Sequence, residues 1–194
     1  MSASGISSLG NAQGCFRVIH RKVSKYTLTS STYQPITLFT VYCIAYEPKR
    51  NQVFSGSMDH TVRIWDLHNG TCQRTLTGHE SLVGLLNLSP SYLVSAAADS
   101  TLRIWDPETG KLRNTLSGHK GTVTCFQHDE VKILSGSDGA LKMWNIRDGS
   151  FIRDLLTDVT GVWQVVFEER WCVAASHRNG SNVIDVWDFG IDEG

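Results

Sequence analysis

The chain has 194 residues, 41% of them hydrophobic and 19% charged, with a net charge of −1. Such a composition supports a packed core and excludes general disorder. It also excludes a global field that would favour nucleic acid or an anionic membrane, and no apolar run approaches the roughly 20 residues of a spanning helix. No nucleic-acid partner and no membrane partner are therefore expected.

Residues 1–40 differ from the rest. They hold no Asp or Glu, four basic residues (Arg17, Arg21, Lys22, Lys25) and twelve Ser or Thr. Met1–Gly14 is small and polar and is expected to be disordered. Cys15–His20, Val23–Thr29 and Ile36–Thr40 each have the make-up of a short strand. A basic, acid-free start also fits a mitochondrial transit peptide, although no amphipathic helix accompanies it. A further reading is that the segment is foreign to the rest of the chain. It is left as an unassigned N-terminal segment, 1–40, ahead of a repeat region, 41–194.

From Val41 the chain repeats. Ser55–Asp66, Ser95–Asp106, Ser135–Asn145 and Ser176–Asp188 are versions of one stretch, and Trp65, Trp105, Trp144 and Trp187 are 40, 39 and 43 residues apart. Gly78-His79 and Gly118-His119 recur at the same spacing. A period near forty that ends in Trp-Asp marks four-stranded propeller blades. The first blade is expected at Val41–Glu47, Gln52–Ser57, Thr61–Asp66 and Thr71–Leu76. The second is expected at Leu82–Leu88, Tyr92–Ala97, Thr101–Asp106 and Lys111–Leu116. The third is expected at Thr122–Gln127, Val131–Gly136, Ala140–Asn145 and Ser150–Leu156. The fourth has Val162–Phe167, Trp171–Ser176 and Val183–Asp188, and lacks an outer strand. The runs are β-branched or aromatic and are bounded by Asn69-Gly70, Thr109-Gly110 and Asp148-Gly149. The fold class is thus all-β: a partial ring of about four blades, at 41–76, 82–116, 122–156 and 162–188. Two open blade faces and an unpaired edge predict that the isolated chain associates or aggregates.

The five cysteines, Cys15, Cys43, Cys72, Cys125 and Cys172, are odd in number and never C-x-x-C. They read as buried thiols of a reducing compartment, hence an intracellular protein of nucleus or cytoplasm, with no disulfide framework and no zinc site. His20, His60, His68, His128 and His177 form no metal-binding spacing, and there is no phosphate loop. No cofactor is expected.

Ser, His and Asp recur together as His79, Ser95 and Asp99 beside Trp105, and as His119, Ser135 and Asp138 beside Trp144. They are the ingredients of a hydrolase, but the enzymatic reading needs one exposed nucleophile with an oxyanion hole. A set that repeats at fixed spacing suits a structural part better, so no enzyme is expected. Blade three is one residue shorter between Ser135 and Trp144, which puts the reach of Asp138 in question.

These motifs resemble the WD-repeat family over about Val41–Gly194. The resemblance implies that each set is a tetrad, a buried chain from Trp to Ser to His to Asp. Within that family, Gly78–Gly110, Phe151–Phe167 and Ser176–Gly180 are similar to the C-terminal blades of the cell-division-control F-box/WD-repeat proteins. That likeness implies an eight-bladed substrate receptor of an SCF ubiquitin ligase, whose upper face binds phosphorylated degrons. Its ligand residues fall at the second residue of each innermost strand, here Tyr42, Gly84, Thr124 and Trp163. They also fall in the turn between second and third strands, here Met58, Ala98, Ser137 and Arg178. Tyr42, Trp163 and Arg178 match the ligand-contacting types, so they are the candidate phosphopeptide-binding residues. Phosphorylated protein substrates are the implied partners. An adaptor and cullin are implied only for a longer form with an F-box, since residues 1–40 show none. A generic WD-repeat scaffold in signalling or transcription, and a truncated product without a function of its own, are the alternatives.

Overall fold

The computed structural model describes residues 40–190. The expectations for Met1–Gly14, Cys15–His20, Val23–Thr29 and most of Ile36–Thr40 lie outside them. The described residues form fifteen antiparallel strands and no helix. Blade one holds β1 (Val41–Glu47), β2 (Gln52–Ser57), β3 (Val62–Asp66) and β4 (Cys72–Leu76), paired in that order. Blade two holds β5 (Val83–Leu88), β6 (Leu93–Ala97), β7 (Thr101–Trp105) and β8 (Leu112–Ser117). Blade three holds β9 (Val123–His128), β10 (Lys132–Ser137), β11 (Gly139–Asn145) and β12 (Phe151–Val159). Blade four holds β13 (Gly161–Glu168), β14 (Trp171–Arg178) and β15 (Ser181–Asp188), and no outer strand is described.

Alternation of side chains along each strand gives every sheet two apolar faces. The core is accordingly three clusters, one between each pair of successive blades. Phe54, Val62 and Ile64 of blade one meet Val83, Leu93 and Trp105 of blade two. Val94, Leu102 and Ile104 then meet Val123, Ile133 and Trp144. Leu134, Leu141 and Met143 meet Val162, Val165, Phe167 and Cys172, with Trp187 at the margin. Among the described residues the outer faces of blades one and four have no such partner, and the arc they form is open.

The Asp of Trp-Asp has a local task. Gly70 and Gly110 lie at positive φ and donate back to the carbonyls of Asp66 and Asp106, closing the loop to the outer strand. The Asp66 and Asp106 carboxylates also accept backbone N–H groups inside that loop, at 2.7 Å from His68 and 2.8 Å from Thr109. Asn145 does the same for Arg147 at 2.9 Å, which is why Asn can replace Asp in blade three.

The innermost strands approach closely across the blade interfaces. The Cys43 thiol donates to Val83 O at 3.6 Å, and the Cys125 thiol donates to Val162 O at 3.7 Å. Burial pushes these thiols up to about 12 and about 11, so both stay protonated donors. Each sulfur lies over a glycine of the neighbouring strand, Gly56 and Gly136. A methyl group at Gly136 would lie 2.6 Å from Cys125 Sγ and 2.8 Å from Val162 Cβ. Gly136→Ala is therefore expected to destabilise the chain by about 1–3 kcal/mol through overpacking. Urea unfolding of the variant checks this, and an unchanged midpoint would contradict it.

Candidate functional site at the mouth of the propeller

The innermost strands β1, β5, β9 and β13 are sheet edges and neighbours of one another. Each breaks register at its second or third residue. The pairing runs Val41↔Ser57 then Cys43↔Gly56, Val83↔Ala97 then Leu85↔Ala96, Val123↔Ser137 then Cys125↔Gly136, and Val162↔Ser176 then Gln164↔Ala175. The residues left over are Tyr42, Gly84, Thr124 and Trp163. A bulge leaves its extra residue unpaired and re-aims the side chain. The same four positions are thus turned out of the ladder at the same end of every blade. Tyr42 is 50% exposed and Trp163 60% exposed. Thr124 is exposed as well, and its Oγ1 donates across the seam to Val162 O at 2.5 Å.

Arg178 ends β14 at the same end of blade four. Its guanidinium is tied to the sheet and does not project freely into solvent. It donates through Nη2 to Asp185 Oδ1 at 2.7 Å, and Asp185 also accepts from Ser176 Oγ at 3.4 Å. Asp185 was not among the sequence candidates. Blades one to three carry Arg63, Arg103 and Lys142 at its position, two residues before the tryptophan, so the reversed sign was the available signal. Blade one has the mirror pair: Arg63 on β3 donates to Asp59 in the turn at 2.9 Å.

Behind the mouth lie the tetrads. In blade two, Trp105 Nε1 donates to Ser95 Oγ at 2.8 Å, and Ser95 Oγ lies 2.8 Å from His79 Nε2. His79 Nδ1 lies 2.9 Å from Asp99 Oδ2, which also accepts from Glu80 N at 2.9 Å. Thr101 donates to Asp99 Oδ1 from N at 3.0 Å and from Oγ1 at 2.7 Å. Burial alone would raise the Asp99 carboxyl, but these donors outweigh it and hold it down at about 2. Ser95 is fully buried with both partners engaged, an arrangement that suits a structural part better than an exposed nucleophile.

Blade three keeps only part of the chain. Trp144 Nε1 donates to Ser135 Oγ at 2.8 Å, and His119 Nε2 lies 2.7 Å from the same oxygen. Asp138 does not complete it, a correction to the sequence assignment, and His119 Nδ1 is buried without a partner. Ser137 pairs with Ala140, so Asp138-Gly139 is a two-residue hairpin turn with no slack to fold the carboxylate back. Blade one keeps Trp65 Nε1 donating to Ser55 Oγ at 2.8 Å, with no histidine on that oxygen among the described residues. In blade four Ser176 is out of place as well. Ser95 and Ser135 pair with Arg103 and Lys142, but the residue opposite Asp185 is Ala174. Among the described residues no His, Cys, Asp and Glu group is arranged to hold a metal ion, and no helix is long and apolar enough to cross a membrane.

The family model for the WD domain, G-beta repeat matches residues 29–66, 70–106 and 110–145. The chain belongs to the WD-repeat family. It is 54% identical over 155 residues to Cell division control protein 4 of Candida albicans, covering 77% of this chain and 23% of that protein. It is 34% identical over 171 residues to Regulator of rDNA transcription protein 13 of Saccharomyces cerevisiae, covering 77% of this chain and 92% of that one. Among solved structures, the computationally designed Ika4 protein superposes with a TM-score of 0.71 at 28% identity, covering 86% of this chain and all of that one. This WD-repeat chain is thus a protein-interaction module built on propeller blades.

Two outcomes are expected of the tetrads. Asp99→Ala removes a bonded acceptor from a buried histidine and is expected to cost roughly 1–3 kcal/mol. Asp138→Ala removes no such bond and should cost less, and equal midpoints in urea would overturn this order. Burial also lowers His79 below 6.5 and His119 to about 4, with Lys142 adding to the depression of His119. A histidine with a depressed folded pKa binds fewer protons folded than unfolded. Its stabilising contribution is complete above pH 6.5 and is lost as pH falls towards 4. The slope is at most about 1.4 kcal/mol per pH unit for each histidine. In His119→Asn the slope in that window should be shallower by the share of one histidine, as unfolding series at several pH values would register.

Proposed function

We propose that this WD-repeat module reads phosphorylated protein segments, in the manner of the substrate receptors of SCF ubiquitin ligases. The observation that carries the reading is the rim of blade four. The Trp163 indole lies over Gly161, with two ring carbons 3.9 Å from where a Cβ would stand. Gly161 pairs with His177, the neighbour of Arg178. An exposed aromatic wall and a guanidinium therefore share one corner of the mouth. Tyr42 is the equivalent wall at the other end of the arc. A guanidinium has five donors in a planar fork, and the hydrogen bond to Asp185 takes one of them. The others suit phosphate oxygens in a way a lysine does not copy. The likeness to Cell division control protein 4 supports the same reading, with phosphorylated substrates as partners in nucleus or cytoplasm. Adaptor and cullin would enter only through a longer form with an F-box.

A second reading is a regulator of the kind that Regulator of rDNA transcription protein 13 is named for. It is favoured by the coverage, since the chain spans 92% of that protein and 23% of the first.

Fluorescence anisotropy with a phosphorylated Thr-Pro peptide and its unphosphorylated twin tests the first reading. Binding is expected to be weak, because one arginine already bonded to Asp185 cannot stand for a cluster. Charged hydrogen bonds contribute about 1.5–3 kcal/mol, so Arg178→Ala should weaken the phosphopeptide roughly ten- to a hundred-fold and leave its twin unchanged. Asp185→Asn should strengthen it by releasing the guanidinium. Equal affinity in wild type and Arg178→Ala removes Arg178 from the site.

A further inference from the structure

Among the described residues, the two open faces of the arc carry the same kinds of apolar residue that meet at its internal seams. In blades one to three the face toward the following blade is built by three equivalent positions. They are Phe54, Val62 and Ile64 in blade one, Val94, Leu102 and Ile104 in blade two, and Leu134, Leu141 and Met143 in blade three. All but Met143 are 0% exposed, and Met143 is 7% exposed. In blade four the strand register puts Val173, Ile184 and Val186 at these positions. They are still apolar, and they are 39%, 72% and 59% exposed. A depression lined by Gln164, Val166, Val173, Ala175 and Ile184 lies between them.

The opposite face behaves in the same way. In blades two to four the residues that meet the preceding blade begin with Val83, Val123 and Val162, which are at most 4% exposed. Leu86, Phe126 and Val165 follow, then Leu88, His128 and Phe167. The same row in blade one is Val41, Ile44 and Tyr46, exposed at 52%, 54% and 39%. Each half therefore keeps the apolar residues that its counterparts use three times within this chain. All of the residues named belong to the inner three strands of a blade, which blade four possesses.

We propose that blade one of one copy docks on blade four of a second copy, and that two copies close into an eight-bladed ring. The occupant is set by chemistry already present: the face that fits Val173, Ile184 and Val186 is the kind carried by Val41, Ile44 and Tyr46. The contact is head-to-tail, and such contacts either close or run on as filaments. Two arcs of four blades reach eight, the upper end of the usual range for propellers. In the closed ring Trp163 of one copy stands next to Tyr42 of the partner copy, as Gly84 stands next to Thr124 within a chain. The bulge column is then continuous. The pairing holds whatever ligand that column takes.

Sedimentation velocity and light scattering on the 194-residue chain test this. At micromolar concentration the expected species is a discrete dimer, twice the 21.5 kDa of one chain. Ile44→Glu and Ile184→Glu, both at exposed positions, should each give a monomer with unchanged far-ultraviolet dichroism. Mixing the two variants should restore a dimer, because one intact blade-one face then meets one intact blade-four face. That rescue also shows that both variants are folded. A monomeric wild type overturns the proposal. A dimer that survives Ile184→Glu but not Ile44→Glu means a like-to-like contact and also overturns it. A mass that climbs with concentration beyond the dimer overturns the closed ring.

Discussion

A sheet that is apolar on both faces is stable only between two others, and every feature of this chain answers to that constraint. Phe54, Ile64, Leu102, Ile104, Leu134 and Leu141 lose all contact with water only because a neighbouring blade covers them. Burying one such side chain contributes about 1.5–3 kcal/mol, an upper bound given a compact unfolded chain. No single blade can collect that energy alone, so the unit of stability is the seam and not the blade. Close approach at the seam explains the glycines under Cys43 and Cys125, and it explains why those sulfurs find carbonyl partners across it.

The polar tetrads sit behind the same seams and inherit the same dependence. A buried histidine is tolerable when both nitrogens are engaged, and only blade two achieves this, through Ser95 and Asp99. Blade three leaves His119 Nδ1 without a partner, and among the described residues no histidine bonds Ser55 of blade one or Ser176 of blade four. The complete network therefore lies in a blade covered on both sides. In blade one, Trp65 still bonds Ser55, but Val53 beside it is only half-buried where its equivalents Leu93, Ile133 and Cys172 are fully buried.

The period, the strands and the turns were legible in the sequence because each is a local backbone requirement. Gly70 and Gly110 are needed at positive φ, the aspartates cap the loops beside them, and the apolar runs alternate. What was not legible depended on register. Ser176 precedes its tryptophan by one residue more than Ser95 does, and the strand pairing turns that difference into Ala174 at the tetrad position. One residue fewer in blade three makes Asp138 a hairpin tip. Arg178 was visible as a cation, but its partner was not, because Asp185 becomes its neighbour only when β14 and β15 pair. The bulges at Tyr42 and Trp163 leave no mark in the sequence at all. Those two positions were reached through resemblance, and the structure supplies the physical reason that they stand out of the ladder.

The candidate binding corner and the open faces use the same strands. Tyr42 follows Val41 on β1, and Trp163 precedes Gln164 on β13, so the walls of the mouth are continuous with the two exposed interfaces. A ligand that touched Trp163 and Tyr42 together would engage only a closed arrangement of blades. By mass action it would then stabilise that arrangement, and closure would in turn raise affinity for the ligand by the same factor. Recognition and ring closure in such a chain are two readings of one free energy. The Arg178–Asp185 pair is local to blade four and stands outside that coupling. It sets how much positive charge the corner offers, whether or not the ring is closed.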